Sequence, residues 1–536
     1  MSTFAQTGLA LGVWALLVSL AFLIAVKLAI LQRHPLHQFP GPFTARFSNL
    51  NHCYIFLRGK QPYELLKLHQ KYGPVVRVAP NELSFNTAQS WKDIYDKRKG
   101  HETFTKSDFY DGGNFAAEAH SIVSVRDPEE HAHMRRYLRD AFSDRSLREQ
   151  EHLITELINS FVDKIGEFGD KPSGIDIVMW FNLVTFDIIG SLAFGQSFGG
   201  ISSGVENAWV SIIVKSLRMG AMADCFRRFP LIGNIIKSMF PRLLKQVVHD
   251  ARTHEKNTMD LVQRRINQPT DRKDFLTKIL QHRHTDYLSD VQIAAHSSDF
   301  VYETPKTFLL LFAFARDKGT TRVTTRPLAD RHYRIAGSET TATALSCVTY
   351  YLQKNPENLV RLRDEVRDYF KSFDDIDDAS ATGLPFLNAV ILEGMRMYPP
   401  LPFPLPRVVP CDGDTIDGYF VPGGTVVSTN PFASSMSPSN FHDPWIFKPE
   451  RWMDLTNKDV LSSSQPFSLG PRSCLGRSLG WLEMRTILAK IHYRYDLELV
   501  DPKLDWHAGS EMHTLWKKPQ MNVIVRSRSD CDTAHN

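Results

Sequence analysis

An uncharged apolar run, Leu9–Val26, opens the chain, and with Ala29–Leu31 added it is long enough to cross the hydrocarbon core of a bilayer. Its charges lie on the C-terminal side, at Lys27 and Arg33, so the N-terminus is expected on the lumenal side and the body in the cytosol. A basic leader and a small-residue cleavage site are both missing, which speaks against a removed signal peptide. The prolines of Phe39–Pro40–Gly41–Pro42 then make a stiff hinge. Past the hinge the pattern alternates between helical and strand periods. Tyr63–Tyr72 predicts an amphipathic helix, stopped by Gly73–Pro74, and Val75–Ala79 and Glu82–Asn86 predict two paired strands. Asp127–Pro128–Glu129–Glu130 starts another helix, with acids where the dipole favours them. From about 146 to 300 the spacing is mainly helical, and its Phe, Met and Leu residues are assigned to the core. Gly413–Pro422 and Thr425–Asn430 predict a small sheet, Arg477–Ile491 a helix, and the polar tail beyond Trp516 is expected to fray. The pattern therefore predicts a mainly α chain with a small β part: an anchor over 1–32 and one large domain over 33–536.

Composition narrows the class. Among 536 residues, 43% are hydrophobic and 23% charged, ordinary for a globular chain, and the net charge is only +4. That balance argues against a nucleic-acid partner and leaves room for a basic face that docks an acidic protein. The 6 cysteines contain no C-x-x-C pair and no N-x-S/T acceptor occurs, as suits a body in a reducing compartment.

Candidate chemistry concentrates in Phe467–Ser468–Leu469–Gly470–Pro471–Arg472–Ser473–Cys474–Leu475–Gly476. Gly470 and Gly476 let the backbone turn and approach something flat. A Cys474 thiolate near the start of the following helix gains from the helix dipole. One thiolate with no second Cys or His nearby suits a single axial bond to haem iron; the plainer alternative is a buried free cysteine in a turn. Gly476–Arg477–Ser478–Leu479–Gly480 also reads G-x-S-x-G, the nucleophile elbow of serine hydrolases, which requires a strand before Ser478 and a sharp turn at it.

The stretch around Cys474 resembles the haem-binding signature of cytochromes P450, and further motifs stand in that family's order. Ile335–Ala336–Gly337–Ser338–Glu339–Thr340–Thr341–Ala342 is similar to its oxygen-activation motif, which implies a catalytic Thr340 and a proton-relaying Glu339. Read alone, the same threonines could bond their own helix backbone. Glu393–Gly394–Met395–Arg396 is an E-x-x-R pair, and Pro449–Glu450–Arg451–Trp452 supplies the Arg that completes the family's structural triad of Glu393, Arg396 and Arg451. The resemblance implies cofactor contacts from Cys474, Phe467, Gly470 and Gly476, and from His131, Arg135, Arg407 and Arg472 at the propionates, with His131 where the family usually has Trp. It implies a membrane-anchored haem-thiolate monooxygenase of the endoplasmic reticulum, fed by a separate NADPH-cytochrome P450 reductase and acting on an apolar small molecule. The wording of the motifs is similar to fungal secondary-metabolism members such as the trichothecene C-15 hydroxylases.

One stretch departs from that pattern. Leu288–Val301 and Ile335 onward join into one helical pattern, while Tyr302–Arg334 carries a Pro and clustered Thr and Arg. These residues read as a translated intron. Val301–Tyr302–Glu303 can encode a donor GTATGA, Ala329–Asp330 a branch-like CTGAC, and Tyr333–Arg334 an acceptor TACAG, and the split codons rejoin as Val. The alternatives are a surface insertion, improbable inside such a helix, or an inactive chain.

Overall fold

The computed structural model describes residues 14, 18, 19, 33–110, 119–205, 221–239, 241–267, 272–301, 336–454 and 456–528. Of the opening apolar run it describes only Trp14, Val18 and Ser19, and the 302–334 stretch lies outside the described residues.

The hinge is clamped to the body. Pro40 O accepts the Arg77 N–H at 2.7 Å, and a Cβ on Gly41 would stand 2.3 Å from the Arg77 carbonyl oxygen, so only glycine fits there. Helices α1 (Leu50–Leu57) and α2 (Gln61–Tyr72) lead into a five-stranded sheet. Its members are β1 (Val75–Ala79), β2 (Glu82–Phe85), β3 (Thr105–Lys106), β5 (Arg407–Val408) and β8 (Val426–Thr429), in the order β1-β2-β8-β5-β3. Between β5 and β8, β6 (Asp414–Ile416) and β7 (Tyr419–Val421) form a hairpin. Its Asp417–Gly418 turn takes φ of 50° and 80°, the left-handed pair that a tight hairpin demands. A second sheet pairs β4 (Ile175–Asp176) and β9 (Tyr495–Leu499) with the central β10 (Asn522–Ser527). This corrects the expected frayed tail: Val523 and Val525 alternate inward and are buried, so the chain is ordered in a sheet through Ser527.

The helical part holds the core. Asp127 caps α3 (Pro128–Ala141), its side chain accepting the Glu130 N–H at 2.7 Å, with Pro128 at the first turn. α4 (Asp144–Gly169) packs on α5 (Ile177–Phe194). α5 is long and apolar enough to cross a membrane, but 89% of it is buried inside the protein, so it is a core helix. α6 (Pro230–Met239) lies on the surface with Leu231, Ile232, Ile235 and Met239 exposed. α7 (Asp290–Val301) and α8 (Ala336–Lys354) touch one another and both pack on α5. α9 (Pro385–Met397) and α10 (Arg477–Arg494) pack against α8. No strand precedes Ser478: the chain arrives through a 3-10 turn, Gly470–Arg472, and Ser478 lies within α10. The nucleophile elbow is therefore absent, and the hydrolase reading falls.

Candidate active site

The loop before α10 is closed on itself. The Cys474 N–H donates to Phe467 O at 2.9 Å, and Ser473 N–H to Gly470 O at 3.1 Å. Gly470 has φ of 69°, and a Cβ there would stand 2.1 Å from Tyr95 O, so both its conformation and its neighbour require glycine. Cys474 is in no disulfide and lies exposed at the wall of a cavity between this loop, α8 and the β3–β5 edge. Gly476 lines the same cavity, and a Cβ there would meet no protein atom nearer than Phe142 at 3.9 Å. The space over the thiolate is thus kept open. Phe467, Phe142, Leu479 and Met484 add apolar wall.

One rim of the cavity is cationic. Arg135 donates to Ser473 O at 2.7 Å and to Ser473 Oγ at 3.2 Å, which ties α3 to the cysteine loop. Arg472 donates to the carbonyls of Val125 and Arg126 at 2.9 and 2.7 Å, and Arg407 to those of Leu405 and Pro406 at 3.3 and 3.1 Å. Arg407 also stacks over Tyr95. None of these arginines has a carboxylate ion-pair partner among the described residues. Burial, followed by the Arg407 charge, pushes the Arg472 pKa down to about 10. Burial likewise lowers Arg135, with neighbouring Cys474 pulling the other way. His131 sits among them, and burial first, then the charges of Arg472, Lys106, Arg135 and Arg407, take its pKa down to about 3. It is therefore neutral and offers one N–H. Sequence reasoning missed Lys106, which is 6% exposed, lines the cavity, and is the cross-strand partner of Arg407. Its signal was a lysine in a short segment that had no strand pattern of its own.

The opposite wall is the first turns of α8. Gly337, Thr340 and Thr341 line the cavity. Glu339 does not share that wall. It is 1% exposed and accepts from Lys518 Nζ at 2.8 Å and Thr343 Oγ1 at 3.2 Å. Lys518, itself 3% exposed, also donates to Thr343 Oγ1 at 2.9 Å. Sequence reasoning gave Glu339 no such partner, because Lys518 stands in the tail expected to be frayed.

Behind the cavity Glu393, Arg396 and Arg451 come together. Arg396 grips Glu393 with both Nε and Nη2 at 2.8 Å, and Arg451 Nε reaches Glu393 Oε1 at 2.9 Å. Trp452 Nε1 and the Lys448 N–H complete the carboxylate at 2.9 and 3.0 Å, and Arg451 pairs in addition with Asp459. Glu393 and Arg396 are 0% exposed, so each lone pair and N–H must find its partner inside the protein. Trp452 and Asp459 had no place in the sequence motif.

These residues fit an iron porphyrin. The Cys474 thiol stands at an apolar wall, and a buried to half-buried rim of Arg135, Arg407, Arg472 and Lys106 is suited to two propionates. Comparison with known proteins agrees. The cytochrome P450 family model matches residues 40–524. The chain is 50% identical over 498 residues to the cytochrome P450 monooxygenase ORF11 of Penicillium roqueforti (strain FM164), covering 92% of this chain and 97% of that one. It is 38% identical over 526 residues to the cytochrome P450 monooxygenase BipB of Cochliobolus sativus, covering 96% and 97%. It is 35% identical over 492 residues to BOT4 of Botryotinia fuckeliana, covering 91% and 86%. With that fold, that cradle and those relatives, the chain belongs to the cytochrome P450 family and is a haem-dependent monooxygenase that works with a redox partner on a small molecule.

Proposed function

We propose that Cys474 would hold the haem iron through its thiolate and that His131, Arg135, Arg407, Arg472 and Lys106 would hold the propionates, so that the protein hydroxylates or otherwise oxidises an apolar small molecule in fungal secondary metabolism. The carrying observation is the Cys474 side chain at the wall of an apolar cavity with a cationic rim. When bound, the haem supplies dioxygen activation, with one oxygen atom going to substrate and the other to water. The chain's own residues do the rest. Phe467 and Gly476 shape the floor, and the apolar wall excludes water. Thr340 lines the cavity, where its hydroxyl would serve the oxygen chemistry. Glu339, held as a carboxylate by Lys518, serves as the proton station behind it. The relatives' fungal sources and the motif wording support the metabolic setting. Electrons come from NADPH-cytochrome P450 reductase, since the chain carries no dinucleotide or Walker motif.

The domain layout belongs to the same proposal: an anchor over 1–32 and a catalytic body over 33–536, held on the cytosolic face of the endoplasmic reticulum. The exposed Phe43, Phe47, Leu50, Tyr54 and Leu57 follow directly on the clamped hinge and support a second contact with lipid. The spectral test is the reduced, CO-bound protein. A thiolate-type band in the wild type, lost in Cys474→Ala, is expected, and a variant that keeps the band refutes the ligand assignment. Protease added to sealed microsomes should digest the body, whereas full protection excludes the cytosolic orientation. Product analysis after co-expression with the reductase identifies the substrate.

A further inference from the structure

α1 meets the helical segment 221–228 along a seam that the Cys474 site does not use. Three contacts run along it. His52 Nε2 lies 3.8 Å from Asp224 Oδ2, Arg228 Nη1 donates to Asn49 Oδ1 at 3.3 Å, and the Cys225 thiol donates to the Cys53 carbonyl oxygen at 4.0 Å. Cys53 and Cys225 are 6% and 5% exposed and are not bridged. The other described cysteines are placed differently. Cys347 gives its S–H to the Ala344 and Gly394 carbonyls, and Cys411 and Cys474 are exposed. A hydrogen bond from Cys225 holds the Cys53 thiol below its ordinary range, with the Arg228 charge adding to the effect, and the same bond pushes Cys225 up. Cys53 is therefore the better nucleophile of the two, and Cys225 keeps its hydrogen. A small cavity of about 40 Å³ lies on the seam, lined by His52, Arg227 and Arg228. Phe403 is a wall of both this cavity and the one at Cys474, and Phe56 of α1 stacks on it with ring centroids 5.7 Å apart.

We propose that Cys53 and Cys225 form a dithiol site that hydrogen peroxide closes to a disulfide, tying segment 221–228 to α1 and slowing the entry of bulky ligands past the shared Phe403 wall. The step balances with peroxide as the one oxidant. The Cys53 thiolate attacks a peroxide oxygen, the O–O bond breaks, and hydroxide leaves as water with the proton that Cys53 gave up. The Cys225 sulfur then attacks the sulfenic sulfur of Cys53. The S–O bond breaks, and the hydroxyl leaves as a second water with the Cys225 proton. Two thiols lose two electrons and two protons, and the peroxide takes both. Peroxide is small, uncharged and close to water in size, so the seam cavity has room for it. It is also what a protein that reduces dioxygen releases when oxygen fails to reach the substrate, so the oxidant arises on the other side of Phe403. With a second thiol already in place, the sulfenic acid meets Cys225 before it meets another peroxide. The bridge then fixes α1, and with it Phe56, which backs Phe403.

Peptide mapping without reductant tests the site on the full-length, haem-loaded protein, treated with peroxide and then quenched with catalase. The peptides that carry Cys53 and Cys225 should appear joined, lighter by two hydrogens than their sum, and should separate in dithiothreitol. Dimedone, which captures sulfenic acids, should label Cys53 in Cys225→Ser and leave Cys225 unlabelled in Cys53→Ser. Binding of a bulky azole, followed by its shift of the haem absorption band, should slow several-fold in the joined form and recover on reduction. Both serine variants should bind it at the wild-type rate before and after peroxide. Peroxide that oxidises the exposed Cys411 yet leaves Cys53 and Cys225 unlinked overturns the proposal, as does a sulfonic acid at either position, the reverse dimedone pattern, or an azole rate that the bridge leaves unchanged. If the serine variants do not fold, the wild-type map and the azole rate with and without dithiothreitol decide the matter. A protein that forms the bridge but shows no thiolate-type CO band counts against the haem reading of Cys474, not against this pair.

Discussion

Glu393 shows how much one side chain can be made to carry. Its two oxygens accept from Arg396, Arg451, Trp452 and the Lys448 backbone, all in a place without water to substitute for any of them. Glu393→Gln removes the charge while leaving both guanidinium groups buried. It should destabilise the protein by about 3–5 kcal/mol, the cost of orphaning a buried charge partner. Denaturant unfolding of the haem-loaded protein measures this, and a loss below about 1 kcal/mol, typical of an exposed pair, contradicts the arrangement. At this scale the sequence was legible where chemistry is local. Cys474 and its glycines lie within one loop, and Glu393 and Arg396 lie on one helical face. It was silent where partners are distant in the chain: Lys518 meets Glu339 only because separate elements fold together, and no spacing rule connects them.

Among elements, α7 and α8 raise the sharpest question. They touch each other and share α5 as a floor, as two parts of one helical pattern would, yet Tyr302–Arg334 separates them in the chain. If those residues are intron-derived, transcripts should mostly lack their codons, and a protein joining Val301 directly to Ile335 should bind haem and turn over better than the long form. Sequencing of the message together with the CO-difference spectra of both forms checks this; transcripts that keep the codons and full activity of the long form argue for a genuine insertion. The helices were legible because caps and periodicity agree, as at Asp127 and Pro128. β10 was not, because the polar Lys517, Lys518 and Gln520 ahead of it mask a short alternation that only the pairing with β9 and β4 makes a strand.

Over the whole molecule, burial of neutral histidines sets a limit on acid tolerance. His131, His296 and His492 are pulled down to about 3, and His52, His69 and His507 to about 4, in each case chiefly by burial. Unfolded histidines titrate near 6.5, so below that value the unfolded chain binds protons that the folded one refuses. Folded pKa values are depressed, and the stability is fully present above about pH 6.5 and lost as the pH falls toward 4. Each group contributes at most about 1.4 kcal/mol per pH unit over that window. The midpoint of thermal unfolding should hold steady from pH 7.5 to 6.5 and then drop steeply toward pH 5. A flat profile would mean these rings are reached by water in solution.

The pairing of Lys106 with Arg407 across β3 and β5 has a consequence for how the protein is made. Like charges directly opposite one another loosen a ladder, and β3 is both the outer strand of its sheet and only two residues long. An anion laid across the pair turns that repulsion into a clamp. If the propionates lie across this pair as proposed, haem is a folding ligand for this edge as well as a cofactor, and at a hundredfold excess over its dissociation constant any such ligand adds about 2.7 kcal/mol to the folded state. The amount of intact enzyme in a cell should then follow the supply of porphyrin, the loaded chain being the harder one to unfold.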